Sequence, residues 1–341
     1  MVTRRNALRG IAAGAAMATL GRPAFGQAPR VFTANISANA LGVHIPYMAA
    51  LNEILPTFPG YGVPDVKRVN SLRIITQSIL SGTVEVGASD PIGALRAVEA
   101  GADLKIVGYA FMNTSLVFVV NADKIKTLKD LERQDVTIAV NSKGDFTHVL
   151  IVGPLLKQNI DQSKMTVVEI GGSGARTKAL LAGKVDGIPA HIDQARQLAR
   201  QGNYKILIEP AKEYDAFIGE VWMVGGEWLK KPQNEKLIVD LNKATIMAFR
   251  RTHQDFPWFA QMCRKYSTSK EMIAAPEDEL RAIWEALAKD VNSWPPGQAM
   301  TTKVFEALLP VYKAAGAIAG TVDLSKAIEP RYAQQALASL G

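Results

Sequence analysis

The stretch Ser71–Gly101, SLRIITQSILSGTVEVGASDPIGALRAVEAG, decides the fold. Leu72, Ile75 and Ile79 share one helical face, and Gly82 stops the helix. Val84, Val86 and Ala88 then alternate as a short strand. Asp90 follows as a natural helix cap, and Pro91 suits the first helical position. The order is helix, buried strand, helix N-terminus, and open α/β sheets present free backbone donors to ligands at such joints. The same order returns in residues 173–193, where ALLAGKVDGIPAHID runs from Ala179 to Asp193. Gly82 and Gly183 are the matching punctuation, 101 residues apart. The echo predicts two like half-sites on two like lobes.

Outward from this stretch the chain alternates strands with helices. Strands are predicted at Arg30–Asn35, Lys67–Val69, Leu104–Ala110 and Leu116–Val120, with a helix at His44–Leu55. Thr127 and Asp130 make a capping box, and Val136–Val140 is a strand ending in Asn141-Ser142-Lys143-Gly144-Asp145 before a helix from Phe146. Thr166–Ile170, Gly187-Ile188 and Lys205–Ile208 complete a second set of strands. The fold class is therefore α/β, with mainly parallel sheets flanked by helices. After Glu220–Val224 the strands stop, and Asn234–Arg251, Asp255–Lys265, Glu277–Val291 and Thr301–Ala315 carry helical periodicity. These four helices are expected to pack back on the first lobe. That places lobe 1 at 29–112 and 222–341, lobe 2 at 116–218, and a hinge near 113–120 and 218–224.

The chain has 341 residues, 48% of them apolar, enough for two cores. Residues 1–26 read as an export signal: a basic start through Arg4, Arg5 and Arg9, an apolar run from Ile11 to Leu20, then small residues Ala24 and Gly26. The apolar run is too short to span a membrane. The Arg4-Arg5 pair resembles a twin-arginine signal, with Ala7 where that pattern favours Phe, so both the Sec and Tat routes stay open. Removing Arg4, Arg5, Arg9 and Arg22 takes the formal charge from +7 to +3. No basic stripe with interleaved aromatics appears, which argues against a nucleic-acid partner. Cys263 is the only cysteine; no internal disulfide can form, and a buried structural thiol is expected.

Spacing excludes several chemistries. Gly171-Gly172-Ser173-Gly174-Ala175 lacks the last glycine of a nucleophile elbow and fails the dinucleotide fingerprint. His44, His148, His191 and His253 show no metal-ligand spacing. No cofactor is expected. Polar turns at strand ends remain. Ser142, Gly144 and Thr147 either offer donors to an anionic or carbonyl group or merely cap the helix, as Asp145 also could. His191 should face the cleft if the echo is real. Trp222 either stacks on a ligand, as Phe146 could, or fills a core; Glu220 is a pocket acid or a solvated strand-end charge. Asn35, Ser37 and Asn39 follow the first strand as ligand contacts or a solvated loop, and Ser89-Asp90 has the same ambiguity.

These residues together resemble the periplasmic solute-binding proteins of the nitrate/sulfonate/taurine type. The matching phrases are Ile79–Gly87 (ILSGTVEVG), Asn141-Ser142-Lys143-Gly144, Ala182–Gly187 (AGKVDG) and Val322–Lys326 (VDLSK). The resemblance implies the two-lobed type II periplasmic-binding fold, a monomer, and the permease and ATPase of an ABC importer as membrane partners. It implies ligand contacts at Ser89, Asp90, Thr114, Ser142, Gly144 and the turn holding His191. Asp145 stands where small hydroxyl residues are common, which disfavours nitrate, and the 190–191 turn lacks the Trp that many relatives carry. Two alternatives are a receptor for a TRAP-type transporter and an enzyme like the pyrimidine-precursor synthases of the same fold. Those synthases need a cysteine cluster and a cofactor lysine, and Cys263 supplies no cluster. The ligand expected is a small organic solute with an acceptor group, a flat or apolar body and hydrogen-bond donors facing Asp90, Asp145 and Glu220.

Overall fold

The structure is a computed structural model that describes residues 28–341. The export-signal reading of residues 1–26 lies outside the described residues. Among the described residues ten strands form: β1 (Thr33–Ser37), β2 (Asp65–Val69), β3 (Val86–Ser89), β4 (Leu104–Asn113), β5 (Leu116–Asn121), β6 (Thr137–Val140), β7 (Thr166–Glu169), β8 (Gly187–His191), β9 (Tyr204–Ile208) and β10 (Ile218–Gly225). They make two five-stranded sheets, ordered β2-β1-β3-β10-β4 and β7-β6-β8-β5-β9. In the first, β1 runs parallel to β2 and β3, and β10 runs against β3 and β4. In the second, β6 runs parallel to β7 and β8, and β5 runs against β8 and β9. The two sheets share one plan, and the reversed strand holds the same place in each. The chain passes between them through residues 114–115 and 209–217.

The sequence echo is a structural repeat. Helix Leu72–Leu80 and helix Ser173–Leu181 each end at a glycine with positive φ, +71° at Gly82 and +66° at Gly183. A Cβ at either would meet nothing within 4 Å, so left-handed backbone rather than space demands glycine there. The helix after β3 starts at Asp90, whose carboxylate accepts from the amides of Ile92 at 3.0 Å and Gly93 at 3.2 Å. His191 holds the matching place before helix Ile192–Gln201.

Several boundaries differ from the sequence reading. The helical segment before β2 begins at Gly42, with a 3-10 turn over Gly42–His44 ahead of Ile45–Ala49. Strand β1 starts at Thr33, because Arg30 makes only one bridge, to Tyr61, while its guanidinium turns to Glu85 and Asn234. Strand β4 extends to Asn113 because β10 lies along its length. Helices Pro232–Gln254, Phe256–Tyr266 and Glu277–Glu285 share a core with the first sheet. Helix Thr302–Ala314 does not follow them alone. It packs on helix Phe146–Lys157, and Phe305, Leu308 and Tyr312 join a core that holds residues of both sheets. Cys263 is fully buried, and burial pushes its thiol pKa up. No helix among the described residues is long and apolar enough to cross a membrane.

Trp222 belongs to the first core and not to a ligand. Its ring lies 5.5 Å from that of Tyr47, and its Nε1 donates to Thr245 Oγ1 at 3.2 Å. On β10, side chains alternate between faces, so Glu220 and Trp222 share a face, but Trp222 lies two residues deeper along the strand. Trp222→Ala should therefore cost about 3–5 kcal/mol of folding stability in urea unfolding. A loss below about 1 kcal/mol would contradict this placement.

Candidate functional site

The reversed strands explain how a site arises. Strand β10 runs against its neighbours, so its first residues reach the edge where β3 and β4 end; β5 does the same beside β8. Glu220 pairs opposite Phe111, and Leu116 opposite His191. Between these edges lies a cavity of about 370 Å³, in the lower part of the roughly 300–1,000 Å³ typical of small-molecule sites. The first sheet's side supplies Ser37, Asn39, His44, Asp90, Phe111, Thr114 and Glu220. The second sheet's side supplies Leu116, Asn141, Phe146, Thr147, Gly172–Arg176 and His191. Two hydrogen bonds cross the gap: Asn39 Nδ2 to Ser173 Oγ at 3.3 Å, and the Gly42 amide to Asp193 Oδ2 at 3.3 Å.

One wall is rich in donors. The amides of Gly172, Ser173 and Gly174 meet no acceptor among the described residues, and no side chain caps helix Ser173–Leu181. Arg176, 2% exposed, stands in the same turn. Its Nε and Nη2 donate to Pro189 O at 3.1 and 3.0 Å, and Nη1 donates to Gly171 O. A guanidinium has five N–H groups, so two are left over. No carboxylate among the described residues pairs with it. Burial pulls its pKa down to about 10, against the field of Asp145. A buried cation held only by carbonyls, beside free amides, is a place for an oxyanion.

The opposite wall is a histidine–acid cluster. His44 Nδ1 accepts from the Leu41 amide at 3.2 Å, so the neutral ring carries its proton on Nε2, which lies 3.6 Å from Glu220 Oε1. Glu220 Oε2 is buried with no partner. The His191 ring stands 5.2 Å from that of His44, and its Nδ1 meets Ser115 Oγ at 2.7 Å. Burial, then the charges of His44 and Arg176, push His191 well below its usual pKa, so it is neutral.

Of the residues expected from sequence, Ser37, Asn39, Asp90, Thr114, Phe146, Thr147, His191 and Glu220 line this cavity. Asn35 is buried in β1 with Oδ1 unpartnered and lies outside the lining. Ser89 turns its hydroxyl to Leu72 O at 3.3 Å, and Trp222 is core. Ser142 and Asp145 line a neighbouring cavity of about 230 Å³, which Asp90 and Asn141 share with the first. Gly144 lines neither; it sits against Gly316 at a φ of +74°.

The acceptor site expected at Ser142–Thr147 does not form. The Ser142 amide donates to Asp145 Oδ2, Lys143 to Glu169 and Gly144 to His148 Nδ1. Thr147 gives its hydroxyl proton to Asp145 Oδ1 at 2.6 Å. Asp145 is thus spent on capping, the other reading of that turn. The free donors sit one strand over, at Gly172–Arg176. Those glycines match no enzyme motif, yet the 101-residue offset aligns Gly172–Arg176 with Ser71–Ile75, beside the same cleft. His44 joins them although nothing local in the sequence marks it.

The family described as NMT1/THI5 like matches residues 66–255, more than half of the chain. No curated protein sequence matches. Solved structures share the fold. The alkanesulfonate-binding protein SsuA from Xanthomonas axonopodis pv. citri, bound to MOPS, is 17% identical with a TM-score of 0.69, covering 89% of this chain and 99% of that one. The periplasmic nitrate-binding protein NrtA from Synechocystis PCC 6803 is 12% identical with a TM-score of 0.73, covering 92% and 90%. The periplasmic aliphatic sulphonate binding protein SsuA from Escherichia coli is 16% identical with a TM-score of 0.67, covering 89% and 93%. The fold is thereby that of the periplasmic binding proteins.

Asp90 gives the site a pH signature. Burial, then the charge of Asp145, raises its pKa to about 7. The folded state holds a proton there that the unfolded chain releases near its ordinary value of about 3.9. Its stabilising contribution is complete below about pH 4 and is lost as pH rises through 7. Asp90→Asn keeps a capping oxygen and never ionises. Urea unfolding should show the variant gaining on the parent between pH 4 and 8, by on the order of 4 kcal/mol. His191 slopes the other way, contributing above about pH 6.5, and cancels in the difference. A gap constant with pH would refute the assignment.

Proposed function

The chain belongs to the NMT1/THI5-like family, and from that premise we propose that it is an extracytoplasmic solute receptor. It captures a small organic solute between two lobes and delivers it to the permease and ATPase of an ABC importer. The observation that carries this reading is the cavity at facing strand ends, with an unpaired donor wall at Gly172–Arg176 opposite a pair of histidines and an acid. The Ser115–His191 pair is the one hydroxyl–imidazole contact there, and Ser115 lies outside the cavity lining, so the constellation reads as a place to hold a molecule. The solute's acceptor group rests on the Gly172–Gly174 amides and Arg176. A lone inorganic oxyanion would leave most of about 370 Å³ unfilled, so an organic body is favoured.

A receptor is favoured over a synthase of the same family by the residues available. Cys263, the single cysteine, is sealed in the core, and no lysine lines the main cavity. An absorbance scan of the purified protein checks this: a pyridoxal phosphate band would reverse it. The basic, apolar and small-residue order of residues 1–26 supports export to the periplasm. Mass spectrometry of periplasmic protein should find an N-terminus near Gln27 or Pro29, and an intact cytoplasmic chain would sink that part.

Closure follows from two crossings between the sheets at residues 114–115 and 209–217, and periplasmic binding proteins are a known instance of hinge closure. A thermal-shift screen over aminosulfonates, aromatic carboxylates, pyrimidines and nitrate should find a stabilising solute. A solute at ~100 times its Kd adds roughly 2.7 kcal/mol of apparent stability. Small-angle scattering with that solute should show compaction, and Arg176→Gln should weaken its binding at least ~10-fold, about 1.4 kcal/mol. Unchanged dimensions at saturation, or Arg176→Gln binding as the parent does, would overturn the proposed mode.

A further inference from the structure

The neighbouring cavity of about 230 Å³ is joined to the first, since Leu72, Asp90 and Asn141 line both. Its walls come from both sheets' sides: Arg73, Thr76 and Arg96 from one, Ser142 and Lys143 from the other. The two sides already approach there, because a Cβ at Gly144 would lie 3.9 Å from Arg96 Nη1. Arg73, Arg96 and Lys143 are exposed, and no carboxylate among the described residues pairs with their side chains. One solvated cation is ordinary; three from three elements around one cavity make a local positive field. The two acids in the lining do not answer it. Asp145 has both oxygens in the helix cap, and Asp90 has Oδ1 in another. Burial, then the charge of Asp145, raises the Asp90 pKa to about 7, so at neutral pH it is no fixed charge against an anion.

The helix that starts at this cavity repeats the donor wall of the first. The amides of Leu72 and Arg73 meet no acceptor among the described residues, and no side chain caps helix Leu72–Leu80. Each half of the repeat therefore turns one uncapped helix start toward the cleft, each with an arginine in its first turns. Thr76 is a separate sign of a missing partner. It is 7% exposed and lines the second cavity, and its hydroxyl has only Met223 Sδ, at 3.9 Å, to donate to. A buried hydroxyl left with a distant sulfur is a donor that an oxyanion completes. We propose that the joined cavities hold one elongated organic solute with an acid group at each end, a dicarboxylate or a carboxylate–sulfonate. One acid meets the Gly172–Gly174 amides and Arg176. The other meets the Leu72 and Arg73 amides among the side chains of Arg73, Arg96 and Lys143, and the apolar body crosses Leu72. This rests on the receptor reading and narrows its solute class.

Titration calorimetry on the purified protein tests it with probes that keep one end and change the other. Terephthalate is compared with benzoate, and the linear dicarboxylates from glutarate to suberate with the monocarboxylates of equal length. At least one diacid should bind about tenfold tighter than its monoacid or better. The linear series should pass through a best length, because the two walls are held apart by the fold. Replacing both exposed cations, Arg73→Gln with Arg96→Gln, should remove most of that advantage and leave the monoacid nearly unchanged, with the melting temperature checked in parallel. Arg176→Gln should weaken diacid and monoacid by a similar factor. Diacids no tighter than their monoacids at every length overturn the inference without needing any variant to fold, and so does an advantage that the double variant keeps in full. An advantage independent of length and erased by high salt is diffuse surface attraction, and overturns it too. If none of the probes binds, the solute class is wrong. In those cases the receptor reading stands or falls separately, on compaction with the solute found by screening.

Discussion

A strand that runs against its neighbours delivers its beginning to the edge where they finish. That constraint makes the site. Strands β5 and β10 each begin just after the chain has crossed from one sheet to the other. Their first residues therefore meet the ends of β8 and β3, where helix N-termini already gather. Glu220 and Leu116 reach the cavity only by this reversal, and Asp90 and His191 reach it only because parallel strands end there. Had all ten strands run one way, the acid wall would have no acid.

The energetics of the cleft come from groups poorly satisfied by the protein alone. Arg176 is buried against carbonyls, Glu220 has an oxygen without a partner, and burial, then the charge of Asp145, raises the pKa of Asp90 to about 7. Each costs the protein stability. Regular packing elsewhere offsets this, notably the core around Tyr47, Trp222, Phe259 and Trp294. Sites commonly concentrate such groups, since what the protein leaves unpaired a ligand can complete.

The fold was largely legible in the sequence because its signals are local. Gly82 and Gly183 mark helix ends by backbone conformation, Asp90-Pro91 marks a helix start, and continuous apolar runs mark buried strands. The site was half legible for the same reason. Residues that directly follow a strand, such as Asp90 and His191, could be placed. The Ser142–Thr147 turn could not be, since capping and ligand binding use the same residue types and only the hydrogen-bond partners separate them. His44 depends on contacts with Glu220 and His191, far along the chain, and Arg176 on the carbonyls that the Gly171 turn and the end of β8 bring to it; no periodicity records either. Trp222 was undecidable for a simpler reason: a strand of eight residues reaches from the cleft into the core.

Helix Thr302–Ala314 adds one consequence. Its Phe305, Leu308 and Tyr312 sit in an apolar cluster that also contains Ile106 and Met223 of the first sheet and Phe118 and Ile138 of the second. That cluster is unbroken across the crossings. The molecule is therefore not two beads on a double thread: the sheets are welded along one margin and parted along the other. Any opening has to resemble a book turning on its spine, wide at the loose margin and almost still at the weld. Heat or denaturant should then couple the two halves, because each keeps a core of its own but both depend on this shared one.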